Sequence, residues 1–419
     1  MSERDKRKVN NNRARPSGHA ARTGGSAELA SGRDGGHGLS VIKGKRTKNK
    51  RMSAIRAAVS TVLILAVIIT LLFLNSKAPG GIVEWSRITW ASMGSGDGYP
   101  VTEPDRGIKS VYMQGSNVLL FTDTSLTIYN KNGGEIRSLL HGYVSPAICV
   151  TQTRTLIYDR GANVFRVDNN YETLLERRTD NQIITADMAE NGTIAVATTA
   201  SGYSGQVKVY NKNFIEQSTR YISGGDITSV CVCRDGRNII VATVSASGGY
   251  YRSTVYKYDL NSNEPIATAV YDGAVILSVE RLHDGGFLLI GDSLCAVTDA
   301  DLTEKNRLSY DGEQLAGFDT DGSQAVLLLG SSMLDNTVVN IAEDGTEQSR
   351  KKYDTDVYAV LKQDGGTYVL KNGSIDHLDG TGSVVSTYEC ISGGLYLAGS
   401  GSGSLAVASV SSAGVVDVR

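Results

Sequence analysis

The chain has 419 residues and five cysteines, an odd and small number that argues against the disulfide framework of a small secreted scaffold. Its net charge of −2 hides an asymmetry: residues 1–56 carry 15 Lys and Arg against 4 Asp and Glu, whereas residues 77–419 carry 27 against 40. The two parts therefore belong in different environments, which excludes treating the chain as one uniformly charged globular protein.

Residues 1–53 are predicted to form a disordered basic tail, because they are rich in Gly, Ser, Asn and Arg and hold almost no large apolar side chain. Such a segment cannot bury enough surface to offset the entropy of an ordered chain. The basic run Lys43–Arg56 has no aromatic residue among its charges. We therefore expect it to contact anionic lipid headgroups and not nucleic acid.

Residues 54–76 are predicted to form a transmembrane helix. The uncharged core AAVSTVLILAVIITLLFL (Ala57–Leu74) would rise about 27 Å as a helix, close to the ~30 Å hydrocarbon layer. Basic residues precede this core and only Lys77 follows it closely, so the positive-inside rule places the N-terminus in the cytoplasm and the C-terminal bulk outside it. A cleaved signal peptide is the alternative. The length of the core and Pro79 after the candidate cleavage site favour an uncleaved, single-pass anchor in the cell membrane.

Residues 77–108 are predicted to form a juxtamembrane linker, and residues 109–419 an all-β fold, a β-propeller. Short apolar strands alternate with turns rich in Gly, Asp and Asn. The glycine of the first hairpin in each unit recurs at roughly 40 residues, the period of four-stranded propeller blades. At ~42 residues a unit the chain gives eight blades, with seven as the alternative. The recurring glycines are Gly115, Gly192, Gly236, Gly285, Gly322 and Gly365.

Within each unit the second strand is the most apolar, which predicts burial on both faces, and the fourth is polar, which predicts an outer edge. The last unit is short, so closing the ring requires a strand from the N-terminal side. In the linker, GIVEWSRITW (Gly81–Trp90) is the candidate for that strand. An array of β-sandwiches is the rival fold, but regular four-strand units with few prolines favour the ring.

Candidate metal ligands are sparse. Cys231 and Cys233 share one face of an inner strand, and no second Cys or His pair completes a metal site, so we predict that both thiols pack between blades as small apolar groups. One disulfide bridge stays open as an alternative. The histidines beyond the tail, His141, His283 and His377, fall in three different units. We therefore predict no metal and no other cofactor.

Two carboxylate-rich segments are candidates for calcium binding, and two single carboxylates are candidates for acid–base catalysis. DTDG (Asp319–Gly322) and DADL (Asp299–Leu302) are similar to parts of calcium loops but lack the spaced third carboxylate and the terminal Glu, so turns are predicted. Asp187 and Glu280 lie in two different inner strands. Their convergence on one axial pocket would provide the acid and base of an enzyme, and the sequence alone does not establish that convergence.

The candidate partner-binding residues are Tyr250, Tyr251 and Arg252. They belong to an insertion, Ser245–Ser253, that projects from one blade hairpin. Exposed Tyr and Arg side chains are enriched where proteins bind one another most tightly. This insertion is therefore the predicted contact patch.

Three segments carry a resemblance to known families. The third strands VYNKN (Val209–Asn213) and VYKYDLNSN (Val255–Asn263) resemble those of quinoprotein-like and WD40-like propellers. The order of basic tail, one helix, a spacer with GYPV (Gly98–Val101) and propeller resembles a bacterial family of single-span membrane proteins of unknown function. The resemblance implies membrane anchoring and an extracytoplasmic propeller, and it transfers no catalytic residue.

We expect a non-enzymatic, membrane-anchored binding or scaffold module for a protein, peptide or envelope-glycan partner outside the cytoplasm. One alternative is a cell-envelope glycan hydrolase or lyase with axial carboxylates. Another is a ligand sensor that relays binding to the cytoplasm. Converging carboxylates at the axis would favour the enzyme, and an axis filled by side chains would favour the binding platform.

Overall fold

Eight antiparallel four-stranded sheets follow one another along the chain in the computed structural model, which describes residues 50–103, 107–332, 335–401 and 403–418. First strands of successive sheets lie side by side around an axis, so each sheet is one blade of a β-propeller. The prediction of eight blades is confirmed, and the seven-blade alternative is wrong. The predicted disordered tail lies outside the described residues, except for its last four positions, which belong to a helix.

In the described residues, two helices precede the blades, α1 (Lys50–Asn75) and α2 (Gly81–Ala91). The chain divides into two compact units, residues 1–61 and 62–419, and the described part of the first unit is helical throughout. Within α1, the segment Ile55–Asn75 has 21 residues, a mean hydropathy of 2.8 and no buried residue. It is long and apolar enough to cross a membrane.

Each blade runs from its inner to its outer strand in chain order, and only blade 8 takes its outer strand from elsewhere. Blades 1 to 4 are β2 (Ile108–Gln114), β3 (Asn117–Thr122), β4 (Ser125–Tyr129), β5 (Glu135–Leu140); β6 (Pro146–Val150), β7 (Thr155–Asp159), β8 (Val164–Asp168), β9 (Thr173–Arg178); β10 (Ile183–Met188), β11 (Ile194–Ala200), β12 (Tyr203–Tyr210), β13 (Glu216–Ile222); and β14 (Asp226–Val232), β15 (Asn238–Ser247), β16 (Tyr250–Asp259), β17 (Pro265–Asp272).

The second half of the ring repeats this arrangement. Blades 5 to 8 are β18 (Ile276–Arg281), β19 (Phe287–Gly291), β20 (Leu294–Thr298), β21 (Glu304–Ser309); β22 (Leu315–Thr320), β23 (Ala325–Ser332), β24 (Asp335–Ile341), β25 (Glu347–Tyr353); β26 (Ala359–Gln363), β27 (Gly366–Lys371), β28 (Ser374–Leu378), β29 (Val384–Glu389); and β30 (Tyr396–Gly399), β31 (Ser404–Ala408), β32 (Ser412–Asp417), β1 (Val101–Thr102).

Burial follows the predicted roles of the strands. Every residue of the second strands β3, β7 and β19 is buried, because each lies between two strands and between two blades. The fourth strand β21 exposes every second residue at the outer edge. The turn glycines Gly192 and Gly236 adopt φ of 82° and 65° in their first hairpins, a conformation that L side chains rarely adopt.

The ring is closed by an N-terminal strand, as predicted, but the predicted segment is wrong. Val101 pairs with Ala413 and Thr102 with Ser412, so β1 becomes the outer strand of blade 8. The N–H of Glu103 donates to the carbonyl of Ser411 at 2.7 Å and continues this contact. With only two residues, β1 is too short to give the alternating pattern from which strands are recognised.

The predicted closing strand, Gly81–Trp90, is instead the helix α2. Its buried residues are Gly81, Glu84 and Ile88, spaced three and four apart as on one face of a helix. Only Ile88 of the three is a large apolar residue, so hydrophobicity shows no helical period. The other apolar residues of the segment lie off this face and imitate the alternation of a strand.

The propeller has two faces. The turns between first and second strands, and between third and fourth strands, form the face on which α2 lies, here called the helix face. The turns between second and third strands and the connections between blades form the opposite distal face. Asn170, in a turn of blade 2, donates to the Ile88 carbonyl at 2.8 Å and to the Ser92 hydroxyl at 3.0 Å, and thereby fixes α2 to the ring.

Candidate functional site

Six consecutive inner strands carry a polar or ionisable side chain at their penultimate position. The residues are Cys149 in β6, Asp187 in β10, Cys231 in β14, Glu280 in β18, Asp319 in β22 and Lys362 in β26. Because inner strands surround the axis at a similar height, these positions form one layer of the channel. Asp187 and Glu280 do converge, since both line one cavity of about 540 Å³.

Asp187 links four blades. Its carboxylate pairs with the guanidinium of Arg281, accepts the N–H of Val232 at 2.7 Å and accepts the thiol of Cys149 at 3.4 Å. Arg281 also donates to the Val232 carbonyl at 2.9 Å. Burial lowers the pKa of Arg281, but Asp187 outweighs it and the net shift is upward. Asp187 is therefore occupied by structural contacts.

Asp319 makes the same kind of inter-blade bond. Its carboxylate accepts the N–H of Lys362, in the next blade, at 2.7 Å. In the same way, Asp187 accepts the N–H of Val232 from the blade that follows its own. Burial raises the pKa of Asp319 to about 7, although backbone hydrogen bonds from Lys362 and Thr320 oppose the shift. At neutral pH this carboxyl is therefore divided between its protonated and ionised forms.

Glu280 differs from the other two carboxylates. Within the part of the chain that the structure describes, its hydrogen-bond partner is the hydroxyl of Ser278 in its own strand, at 2.7 Å. Burial raises the pKa of Glu280, and the charge of Asp187 adds to the shift. Glu280 and Arg281 also line a second cavity, of about 510 Å³, among the turns of the helix face. Glu280 thus lies where the two cavities of the channel meet.

The channel has the chemistry of a polar binding cavity. Five residues that bear hydroxyl groups line the larger cavity together with Glu280: Tyr112, Tyr158, Thr185, Thr228 and Ser278. Hydroxyls both donate and accept hydrogen bonds, so this lining suits a polar ligand. Hydrolysis of a glycoside ordinarily uses two carboxyl groups on either side of the bond. Of the three described carboxylates in the axial layer, Asp187 and Asp319 are engaged between blades, whereas Glu280 is hydrogen-bonded within its own strand.

We expect Asp319→Asn to gain stability relative to the wild type as pH rises from 5 to 8. The pKa of Asp319 is about 7 in the folded chain but about 3.9 when unfolded, so ionisation destabilises the fold over the window from about pH 4 to 7. Water in the channel screens this penalty, and we expect a relative gain of about 1–2 kcal/mol in the free energy of unfolding between the two pH values. Urea titrations at pH 5 and 8 measure it.

Asp344→Asn is the control for this experiment. Hydrogen bonds from Thr346 lower the pKa of the exposed Asp344, so ionisation of Asp344 favours the folded chain. Removing that carboxyl gives no relative gain at pH 8. Equal changes in Asp319→Asn at pH 5 and 8 would contradict the assignment of the raised pKa to Asp319.

All five cysteines are free thiols, so the structure contains no disulfide bridge between them. Cys231 and Cys233 pack against Ile276 and Phe287 of the next blade, as predicted. Burial raises the pKa of both thiols, that of Cys233 to about 12. Both are therefore protonated near neutral pH and lack the reactivity of a thiolate.

The histidines lie in three blades, as the sequence indicates. His283 shares a hydrogen bond with Ser323 at 3.1 Å, and His377 stacks on Tyr368 with ring centroids 4.6 Å apart. His141 lies against Phe121. Among the described residues, no group of three His, Cys, Asp or Glu is arranged to hold a metal ion.

DADL (Asp299–Leu302) forms a turn, as predicted, whereas in DTDG only Asp321 and Gly322 lie in a turn, because Asp319 and Thr320 end strand β22. Asp299 accepts the N–H groups of Asp301 and Thr303, each at 2.8 Å. Asp321 accepts those of Ser323 and Gln324 at 2.9 and 2.8 Å. These side chains replace backbone acceptors within their own turns.

Tyr250, Tyr251 and Arg252 lie on the distal face, at the tip of blade 4. Strands β15 and β16 have ten residues each and meet at a Gly248-Gly249 turn, so the predicted insertion is a two-stranded ribbon and not an irregular loop. Tyr250 is 76% exposed and Tyr251 60%. Arg252 pairs with Asp272 at 2.5 Å, which ties the ribbon to the outer strand beside it.

The distal face of blade 3 holds a second tyrosine pair that sequence reasoning missed. The rings of Tyr203 and Tyr221 lie 4.7 Å apart, and both side chains are at least half exposed. They belong to neighbouring strands, Tyr203 to β12 and Tyr221 to β13. The register of these strands, in which Gln206 pairs with Tyr221, brings the two rings together. The alternation of apolar residues along one strand gives no signal for such a pair.

Comparisons with solved structures show the propeller fold. The chain is 10% identical to Saccharomyces cerevisiae Sqt1, with a TM-score of 0.56 over 77% of this chain and 100% of that one. It is 11% identical to BamB from Moraxella catarrhalis, with a TM-score of 0.53 over 76% and 98%. For the β-propeller domain of Myceliophteria thermophila Cps50 (Swd1), the identity is 11% and the TM-score 0.50 over 77% and 100%.

No curated protein matches the chain by sequence. A family described as "Family of unknown function (DUF5711)" matches residues 101–389, which begin at the ring-closing strand β1 and end with the last strand of blade 7. This match covers more than half of the chain. The chain therefore belongs to the DUF5711 family of unknown function.

Proposed function

We propose that the protein is a non-enzymatic binding module, tethered to the cell membrane by α1, whose propeller lies outside the cytoplasm and binds a protein partner on its distal face. The observation that carries this proposal is the difference in exposed residues between the two faces of the propeller. The helix face carries α2, whereas the distal face presents two exposed tyrosine pairs, one of them on a projecting ribbon.

The tether is supported by composition and charge. The segment Ile55–Asn75 has the length and mean hydropathy of a membrane span. Basic residues cluster before it, at Lys43–Arg56, and the propeller after it is acidic. The positive-inside rule favours a cytoplasmic N-terminus for this arrangement. Lipid contacts are then made by the helix and by its basic flank.

A protein is favoured as the partner by the chemistry of the distal face. Tyr side chains offer a large contact area with few rotatable bonds and a hydroxyl at the tip, and they are common at the centres of protein interfaces. The ribbon also forms a cavity of about 440 Å³, lined by Tyr250, Tyr251, Arg252, Asp272 and Gly273. A side chain of the partner would fit there.

The non-enzymatic part of the proposal is supported by the axial layer. An acid–base pair requires two carboxyl groups free to exchange protons. Asp187 is bound by Arg281 and Asp319 by the N–H of Lys362. Glu190 and Asp321, which line the helix-face cavity together with Glu280, accept the N–H groups of Gln152 and Gly365 from neighbouring blades. Among the described residues that line these cavities, Glu280 therefore has no second carboxyl that is free of inter-blade contacts. A polar ligand in the channel is compatible with this reading.

We expect the double variant Tyr250→Ser/Tyr251→Ser to reduce partner binding at least tenfold without changing the stability of the propeller. Both side chains are exposed, and truncating aromatic anchors at an interface typically costs about 2 kcal/mol or more. A photoreactive amino acid at position 250 in living cells identifies the partner, whose affinity for both variants is then measured with purified proteins.

Val385, exposed on the outer strand of blade 7, provides the control position for crosslinking. A discrete protein adduct at position 250 and none at position 385, with weaker binding of the tyrosine variant, supports the proposal. Adducts only with glycans, equal adducts at both positions, or unchanged affinity would overturn it.

A further inference from the structure

The outward side of α2 carries large apolar residues that are mostly exposed. Val83 is 58% exposed, Trp90 80% and Met93, just past the helix end, 75%. The side that faces the ring holds Gly81, Glu84 and Ile88 instead. The usual pattern is thus reversed, because a helix that serves only to pack on a domain turns its apolar side inward.

Chain connectivity fixes where this outward side lies. Only residues 76–80 separate α1 from α2, and the side-chain oxygen of Asn75 accepts the N–H of Ile82 at 3.2 Å. The first turn of α2 is therefore hydrogen-bonded to the last residue of the apolar segment Ile55–Asn75. If that segment spans the bilayer, α2 begins at the level of the lipid headgroups.

The charges around α2 also suit a lipid surface. Lys77 and Arg87 are exposed, whereas the one acidic residue between positions 76 and 93, Glu84, is buried against the ring. The exposed side of α2 therefore carries apolar residues, Arg87 and the small polar Ser86, and no carboxylate. A cationic and apolar side without acidic residues is typical of helices that lie in the interface of anionic membranes. Both tryptophans of the chain, Trp85 and Trp90, are in α2, and tryptophan favours the interface because its ring is amphipathic.

We infer that α2 is an interfacial helix, which inserts Val83, Trp90 and Met93 at the boundary between headgroups and acyl chains while its other side holds the propeller. This inference rests on the proposed membrane span of α1. It adds that the helix face of the propeller lies directly over the bilayer and that the distal face points away from it. The spacer after α1 is thus a rigid mount and not a flexible linker.

Tryptophan fluorescence tests the inference sharply, because α2 holds every tryptophan of the chain. The full chain with Trp85→Phe, which leaves Trp90 alone, is reconstituted in vesicles of phosphatidylethanolamine and phosphatidylglycerol. We expect lipids brominated near the headgroup end of the acyl chain to quench Trp90 at least twofold, and acrylamide to quench it weakly. The wild type, observed in the same way, gives a second measurement that needs no substitution.

A matched variant supplies the control. Trp85→Phe/Trp90→Phe/Tyr250→Trp places the fluorophore on the distal face, where we expect quenching by acrylamide and none by brominated lipid. Flotation of the vesicles after an alkaline wash reports the span separately. Retention of the chain with Trp90 open to acrylamide and unquenched by lipid overturns the inference alone. Loss of the chain from the vesicles overturns the span, and this inference with it.

Discussion

Replacing Glu84 with leucine is expected to lower the free energy that holds α2 on the propeller by about 3–5 kcal/mol. Glu84 and Arg154 form a two-pronged ion pair, with both nitrogen–oxygen distances at 2.9 Å and side chains only 6% and 5% exposed. Burial raises the pKa of Glu84, but Arg154 outweighs it and the net shift is downward. Removing the carboxylate leaves a buried guanidinium without its counter-ion.

Denaturant titration in detergent micelles, followed by two signals, measures this effect. Fluorescence reports α2, because both tryptophans lie in it, and far-ultraviolet circular dichroism reports the strands. We expect the fluorescence transition of Glu84→Leu to move to lower denaturant and to precede the loss of strand signal. Coincident, unshifted transitions would show that the ion pair does not hold α2.

Two further variants separate charge from packing. The double variant Glu84→Leu/Arg154→Met removes both charges and should recover much of the loss, since replacing a buried pair by apolar residues is often nearly neutral. The exposed pair Lys109–Asp123, with side chains 56% and 67% exposed, is the control. Lys109→Ala is expected to change stability by less than about 1 kcal/mol.

The second large effect is expected at the ring closure. In Gly96→Ala, the new Cβ would overlap the amide nitrogen of Gly134 and the carbonyl oxygen of Asn132, both backbone atoms in a turn of blade 1. This segment also donates the Gly98 N–H to the Asn132 carbonyl at 2.8 Å. Overpacking at such a site typically costs about 1–3 kcal/mol, and we expect the upper end because backbone cannot rotate away.

Hydrogen exchange locates the damage in that variant. Moving residues 94–98 displaces β1, so the amides of β32 should lose protection before those of the other blades. Gly107→Ala is the matched control on the other side of β1, because a Cβ there meets no atom within 4 Å. It should stay within about 0.5 kcal/mol of the wild type. Uniform loss of protection in all blades would argue against a local effect on closure.

The repeats could be predicted from the sequence because every blade needs the same turns and the same buried strand, and both depend on residues close together in the chain. A turn that needs a positive φ selects glycine, and a strand buried on both sides selects apolar residues, so the blades repeat a visible pattern. The helix α2 could not be predicted from hydrophobicity, because the ring holds it through Glu84 and not through an apolar stripe. The closing strand β1 could not be predicted either, because two residues cannot display a period.

The candidate sites divide in the same way. The exposed position of Tyr250 and Tyr251 at a hairpin tip could be predicted from the sequence because they are adjacent and follow a glycine pair. The layer of Asp187, Glu280 and Asp319 depends on register between blades, and that register follows from pairings made across the fold. Which of these carboxylates is engaged by a neighbouring blade is visible only once the N–H of Val232 and that of Lys362 have been placed.

Closure by β1 and β32 has a consequence for biosynthesis. Val101 pairs with Ala413, which leaves the ribosome 312 residues later. Until blade 8 has been translated, it cannot cover the inner strand of blade 1. Contacts between residues this distant in sequence also form slowly. A nascent chain that is halted within blade 8 would therefore expose an unpaired strand at each end of an open ring. Completion of the ring therefore requires that β32 has been translated.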